Sequence, residues 1–186
     1  MRFIPVVLVA LLALPLSALS EELEGENLLQ KVPDGYKIDF TAKQKTLLVA
    51  EMVPVGESVK NWTEMLTVQV FEGLRSTTPE KYQARMESLW AKGCTGASSE
   101  PMTNAAQNGY AYSVWMQSCP NNTATGKMET TLFKAIKGSD SFYVIQKAFK
   151  FKPSKKQVTK WRSYLASVSV CDSRLVDRAC QLDEMK

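Results

Sequence analysis

The chain has 186 residues, with 23 Lys and Arg against 19 Asp and Glu, four cysteines and no histidine, for a formal net charge of +4. Without an imidazole, Ser-His-Asp and Cys-His nucleophiles, histidine general bases and histidine-ligated metal centres are all excluded. The charge is too mild and too evenly spread to point to nucleic acid or an anionic membrane as the partner.

Residues 1–20, MRFIPVVLVALLALPLSALS, carry one positive charge at Arg2, an apolar run from Phe3 to Leu16, and small residues before Glu21 and Glu22. That is the pattern of a cleavable secretory signal peptide, with the break expected after Ser20. The run is broken by Pro5 and Pro15 and is shorter than the ~20 residues of a membrane span. No cysteine stands near the break to take a lipid, and no later run is apolar enough to cross a bilayer. Residues 21–186 are then expected to form a single exported domain, periplasmic or secreted, with 22 basic and 19 acidic residues once Arg2 is removed.

Glu21 to Lys31 sets four glutamates around Leu23, Leu28 and Leu29 and fits a short helix or a loose arm. Val32-Pro33-Asp34-Gly35 is a turn signature. The alternation that follows predicts a strand over Tyr36 to Thr41 with Tyr36, Ile38 and Phe40 on one face. After a reversal at Ala42 to Gln44, the run Leu47 to Ala50 is apolar on both faces, which predicts a central, doubly covered strand over Thr46 to Val53. A polar connection, Pro54 to Thr63, leads to a further alternating strand, Met65 to Phe71.

Thr78-Pro79-Glu80 is a helix start: a capping hydroxyl, a proline at the first turn and an acid at the positive end of the dipole. The helix is expected over Pro79 to Lys92, with Tyr82, Met86, Leu89 and Trp90 as its apolar stripe and Gly93 as its stop. Two strands around Asn108-Gly109 follow, the second being Tyr110 to Ser118. Lys127 to Lys137 and Phe142 to Phe151 form another hairpin across Gly138 to Asp140. Pro153 and Ser154 open a last helix with Val158, Trp161, Leu165 and Val168 inward, and Cys171 to Lys186 reads as a polar tail. Strands and helices are segregated, so the fold class is α+β: an antiparallel sheet of about six to seven strands packed with two main helices.

An even number of cysteines in an exported chain indicates two disulfides, for which three pairings exist. The preferred one joins Cys94 to Cys119, at the open ends of the hairpin that turns at Asn108-Gly109, and Cys171 to Cys180, which ties down the tail. The absence of CxxC and of histidine argues against zinc.

The order of elements, from the Val32-Pro33-Asp34-Gly35-Tyr36 turn to a final helix with Trp161 in its stripe, resembles that of PsbP-like domains, including the DcrB and LpqN type of small exported bacterial protein. The resemblance runs from about Val32 to Val170 and is closest at Val32 to Tyr36 and Phe142 to Val168. It implies a non-enzymatic binding or assembly role in the envelope and supplies no site residues.

Motifs for chemistry are scarce. There is no SxxK or GxSxG spacing, no phosphate-binding glycine loop, and no calcium-loop spacing around Asp140. Glu51, Glu57, Glu64 and Glu72 could serve a histidine-free hydrolase only if two of them were held about 5–10 Å apart in a cleft. Lys134, Lys137, Lys147, Lys150, Lys152, Lys155, Lys156 and Lys160 make the last third locally basic and read as a solvated face. Asn61-Trp62-Thr63 and Asn121-Asn122-Thr123 match a glycosylation sequon, which matters only in a eukaryotic host.

Recognition is what remains. The connection Pro54 to Thr63 is the candidate surface, with Glu57, Asn61, Trp62 and Glu64 as candidate binding residues. Trp62 is either a lid on the core or a contact anchor. The expected function is a non-catalytic accessory protein, without cofactor, that binds another envelope or secreted protein. A secreted effector or an immunity-type inhibitor of a toxin enzyme is the second class, and the histidine-free hydrolase the third.

Overall fold

The computed structural model describes residues 23–123 and 125–180. The expected signal peptide lies outside them, as does the end of the expected tail, residues 181–186. In chain order the elements are β1 (Glu26–Leu29), β2 (Tyr36–Gln44), β3 (Leu47–Pro54), β4 (Glu64–Glu72), α1 (Pro79–Gly93), β5 (Ser98–Ser99), β6 (Thr103–Gln107), β7 (Tyr110–Asn122), β8 (Lys127–Lys137), β9 (Ser141–Phe149), α2 (Lys155–Ser167) and β10 (Ser169–Asp172). Eight strands form one antiparallel sheet in the order β2-β3-β4-β9-β8-β7-β5, with β6 also paired to β7. The count is slightly above the six to seven expected, because β5 and β6 share one edge of β7.

The two helices sit on opposite faces. Thr78 caps α1, its hydroxyl accepting from the Lys81 N–H, and Tyr82, Met86 and Trp90 pack against Trp115, Phe133 and Phe142. Leu89, expected in that stripe, is 48% exposed. Ser154 and Gln157 close a capping box at the start of α2, and Trp161, Leu165 and Val168 pack on the other face against Ile136, Ile145 and Phe149. Burying side chains of this size contributes roughly 1.5–3 kcal/mol each.

Several further expectations need correction. The segment Glu21 to Lys31 is neither helix nor loose arm where it is described: β1 pairs with β10 as a separate two-stranded ribbon. Glu26 explains its place, since its carboxylate accepts from the backbone of Asp140 and Ser141 and from the Tyr143 hydroxyl at 3.0–3.1 Å. The polar tail begins with that same ribbon, so Cys171 and Asp172 are buried. β3 is second from the edge; the doubly covered strands are β8 and β9. Finally, the β2–β3 register shifts between Ile38 and Phe40, so Ile38 pairs with Met52 and Phe40 with Glu51. Paired residues share a face, so the bulge turns Phe40 away from the face of Tyr36 and Ile38.

Cys94–Cys119 and Cys171–Cys180 are the disulfides, with Cα separations of 5.8 and 4.9 Å.

Two lysines of the supposed solvated face are fully buried beneath α2. Lys134 on β8 donates to the carbonyls of Leu165 at 2.9 Å and Val168 at 2.6 Å and to Gln107 Oε1 at 2.8 Å. It therefore satisfies carbonyls that a helix end leaves open, and it lies 4.2 Å from the centroid of the Tyr112 ring. Lys147 on β9 donates to Glu64 Oε2 at 2.8 Å and the Tyr36 hydroxyl at 2.6 Å. Its ammonium is 4.1 Å from the Trp161 ring centroid and 4.8 Å from that of Phe149.

Lys134→Ala removes both the donors and the buried stem, and should cost about 2–5 kcal/mol by urea unfolding, against about 0.5 kcal/mol or less for exposed Lys160→Ala. Burial pulls Lys134 down to about 8, and Lys147 down to about 8 against the opposing pull of Glu64. Between those values and the ordinary 10.5 the unfolded chain holds protons that the folded chain has released, so stability should rise with pH across that window. Above about 10 the opposite holds, because burial keeps the Tyr82 and Tyr164 hydroxyls protonated up to about 12. Urea midpoints over about pH 7 to 11 should therefore pass through an alkaline maximum, and Lys134→Met should flatten the rising limb by up to ~1.4 kcal/mol per pH unit.

Candidate functional site

The connection between β3 and β4 is rigid and internally bonded. Asp39, at the β2 bulge, accepts from the Val59 N–H at 2.8 Å, so the register shift aims a carboxylate at this loop. Glu57 accepts from the Thr63 N–H at 2.7 Å and from its hydroxyl. Those bonds outweigh the upward push of burial and hold the Glu57 carboxyl below its usual range. Ser58 and Asn61 exchange backbone hydrogen bonds across the tip.

The four candidate residues thus divide. Glu57 staples the loop from within. Glu64 is closed under α2, accepting from Lys147 and Tyr36, with Gln157 Nε2 at 3.5 Å. Burial and the Glu64 carboxylate push the Tyr36 hydroxyl far above its ordinary range, so it stays a donor. Asn61 is exposed and Trp62 half-buried, with the Lys150 ammonium 3.8 Å from the Trp62 ring centroid.

The other acids are dispersed. Burial raises the Glu51 carboxyl on β3, and Glu72 pairs with Lys43 at 3.2 Å. Asp140 is bound by Arg75 at 3.1 Å and Arg174 at 2.6 Å, and Arg174 also holds buried Asp172. Among the described residues no group of three or more Cys, Asp or Glu is placed to hold a metal ion.

Two apolar grooves were not foreseen. One, of about 410 Å³, lies on the α2 side of the sheet along Thr41, Lys43, Leu48, Ala50, Val68 and Val70. The second, also about 410 Å³, lies on the α1 side between Phe71, Leu74, Tyr82, Met86 and Leu89, with Lys81 and Arg85 at its rim. They stand back to back on β4, whose alternate residues line opposite faces. The reason is width: a helix is ~10 Å across and strands lie ~4.8 Å apart, so one helix covers about two strands. A single helix on each face leaves the β2-β3-β4 wing incompletely covered. The signal in the sequence was the run Leu47 to Ala50, apolar on both faces where just two main helices are expected to supply cover.

No family model matches the chain, and no curated protein matches it by sequence. Among solved structures it is similar to the Ran-binding protein Mog1p of Saccharomyces cerevisiae, at 16% identity and a TM-score of 0.45 over 77% of this chain and 85% of that one. It is also similar to cyanobacterial PsbP (CyanoP) of Synechocystis, at 10% identity and a TM-score of 0.44 over 81% and 95% of the two chains. LpqN of Mycobacterium tuberculosis, involved in cell envelope biogenesis, is similar at 11% identity and a TM-score of 0.42 over 81% and 87%. PsbP and LpqN, the types that the element order resembles, are thus both among the similar structures.

Proposed function

We propose that this chain is a non-catalytic binding protein of the extracytoplasmic space, and that it takes an apolar segment of another envelope or secreted protein on its β2-β3-β4 wing. The observation that carries this reading is the pair of grooves on opposite faces of β4, where Leu48, Val68 and Val70 on one side and Phe71, Leu74 and Met86 on the other line open apolar surface. Open apolar patches of this kind mark contact sites. The two disulfides and the character of residues 1–20 support an oxidising compartment.

The free edge of β2 is a poor general template for strand addition, because it carries a bulge and the exposed lysines Lys37 and Lys43. The grooves beside it are therefore the selective feature. In this reading the β3–β4 loop is a second contact, with Asn61 and Trp62 meeting the partner and Glu57 and Glu64 supporting them from inside.

A photo-crosslinking residue placed at Leu48, in the native compartment, should capture one envelope or secreted protein, whereas the same residue at Thr159 on the outer face of α2 should not. Val70→Glu puts a charge in the groove and should abolish the adduct while leaving the thermal midpoint within a few degrees. The same adducts from both positions, or an adduct indifferent to Val70→Glu, would show that the wing is not the site.

A further inference from the structure

The charge that looks evenly spread along the sequence is gathered at one end of the molecule. We infer that this end, formed by the β3–β4 loop, the start of β8 and the link from β9 into α2, docks on the anionic headgroup layer of a phospholipid bilayer. The inference does not rest on the two grooves and stands or falls separately from them; at the β3–β4 loop it puts a bilayer in place of the second protein contact.

The elements that meet there bring together lysines that are distant in sequence. Lys150 lies over Trp62, and its N–H donates to the Thr63 carbonyl at 2.9 Å. Lys60 stands between Ser58 and Asn61 at the tip of the loop. Lys127 opens β8, while Lys152, Lys155 and Lys156 occupy the link and the first turn of α2. Among the described residues, Lys60, Lys127, Lys152, Lys155 and Lys156 have no ion-pair partner.

The carboxylates at this end are mostly engaged. Glu57 is held by Thr63, Glu64 by Lys147 and Tyr36, Asp39 by Lys37 and the Val59 N–H, and Glu129 accepts from Asn122 and Thr131; Asp34 also lies at this end. The far end is balanced, with Lys43 paired to Glu72 and the chain Arg75–Asp140–Arg174–Asp172 neutralising itself. The first turn of α2 contains no acid. Two lysines at the positive end of a helix dipole cost stability locally, so folding does not account for them.

Residue type selects a bilayer over a shaped protein partner. Every exposed cation at this end is a lysine, whereas Arg75, Arg85, Arg162, Arg174 and Arg178 all lie elsewhere. Lysine is a compact hydrated charge suited to a diffuse anionic field, while arginine is the cation enriched in protein interfaces. The same end also carries an apolar tip. Val55 is 70% exposed at a turn closed by the Glu57 N–H to the Pro54 carbonyl at 2.9 Å. Trp62, on the same connection, has the amphipathic ring that favours a headgroup boundary.

The test is sedimentation of the exported protein with vesicles of mixed phosphatidylglycerol and phosphatidylcholine, against vesicles of phosphatidylcholine alone. Binding is expected only to the mixed vesicles, weakening steeply with added salt. Each lysine at such a surface strengthens binding about fivefold. Lys155→Glu with Lys156→Glu should therefore weaken it by about twenty-five-fold or more, and Lys45→Glu with Lys137→Glu, at the far end, by less than about twofold. Equal binding to both vesicle types, equal loss from both double variants, or no vesicle binding with strong retention on an acidic polymer would overturn the proposal, the last result indicating an acidic macromolecule instead.

Discussion

Helix α2 is held to the sheet by two ammonium groups that reach it from adjacent strands. Lys134 binds carbonyls at its carboxyl end, and Lys147 lies against Trp161 while paired with Glu64. Burying a charge is costly unless its donors are satisfied, and here both are: the first by backbone carbonyls and Gln107, the second by a carboxylate and a hydroxyl. The consequence is positional. Hydrophobic contact would let α2 slide along a flat sheet, whereas two directional, desolvated cations fix where it begins and ends. The Lys147 cluster also draws β2, β4 and β9 together through Tyr36 and Glu64, and Gln107 ties the β6–β7 hairpin to the end of α2 by donating to the Ala166 carbonyl.

Fixing α2 over β8 and β9 determines what is left open. With α1 on the opposite face and the β1–β10 ribbon beside α2, the strands at the centre are covered on both sides and the β2-β3-β4 wing is not. The covered half carries the fully buried aromatic residues Trp115, Phe133, Tyr143 and Phe149. The wing carries aliphatic side chains in open grooves. A rigid half and an accessible half on one continuous sheet is an arrangement suited to presenting a surface rather than enclosing a substrate.

The same clamp redistributes charge. With Lys134 and Lys147 out of the solvent and Lys137 at the far end, Lys150, Lys152, Lys155 and Lys156 stand around the mouth of the β3–β4 loop, where Trp62 and Lys150 stack. Glu57 and Glu64, which along the sequence look like polar specificity groups in that loop, spend their oxygens on Thr63, Lys147 and Tyr36. The loop is therefore stiff and more basic at its surface than its composition suggests.

Local chemistry was legible because its causes are local. The Thr78 and Ser154 caps, the Asn108-Gly109 turn, both hairpins and the stripe of α2 follow from residues within a few positions of one another, and the α+β class follows from their order. The preferred cysteine pairing was near this limit, since Cys171 and Cys180 close a short loop and Cys94 and Cys119 sit at the open ends of a single hairpin. Tertiary structure decided the rest, for reasons that spacing cannot express. A lysine reads as exposed until a helix end needs its donors, as with Lys134. Glu26 reads as part of a polar arm until the β8–β9 turn offers N–H groups to bind. The run Leu47 to Ala50 reads as central because apolar faces imply cover, yet two helices are too narrow to cover eight strands. Trp62 is half-buried, and the cation that rests on its ring comes from Lys150, a residue that only the pairing of β4 with β9 brings beside it.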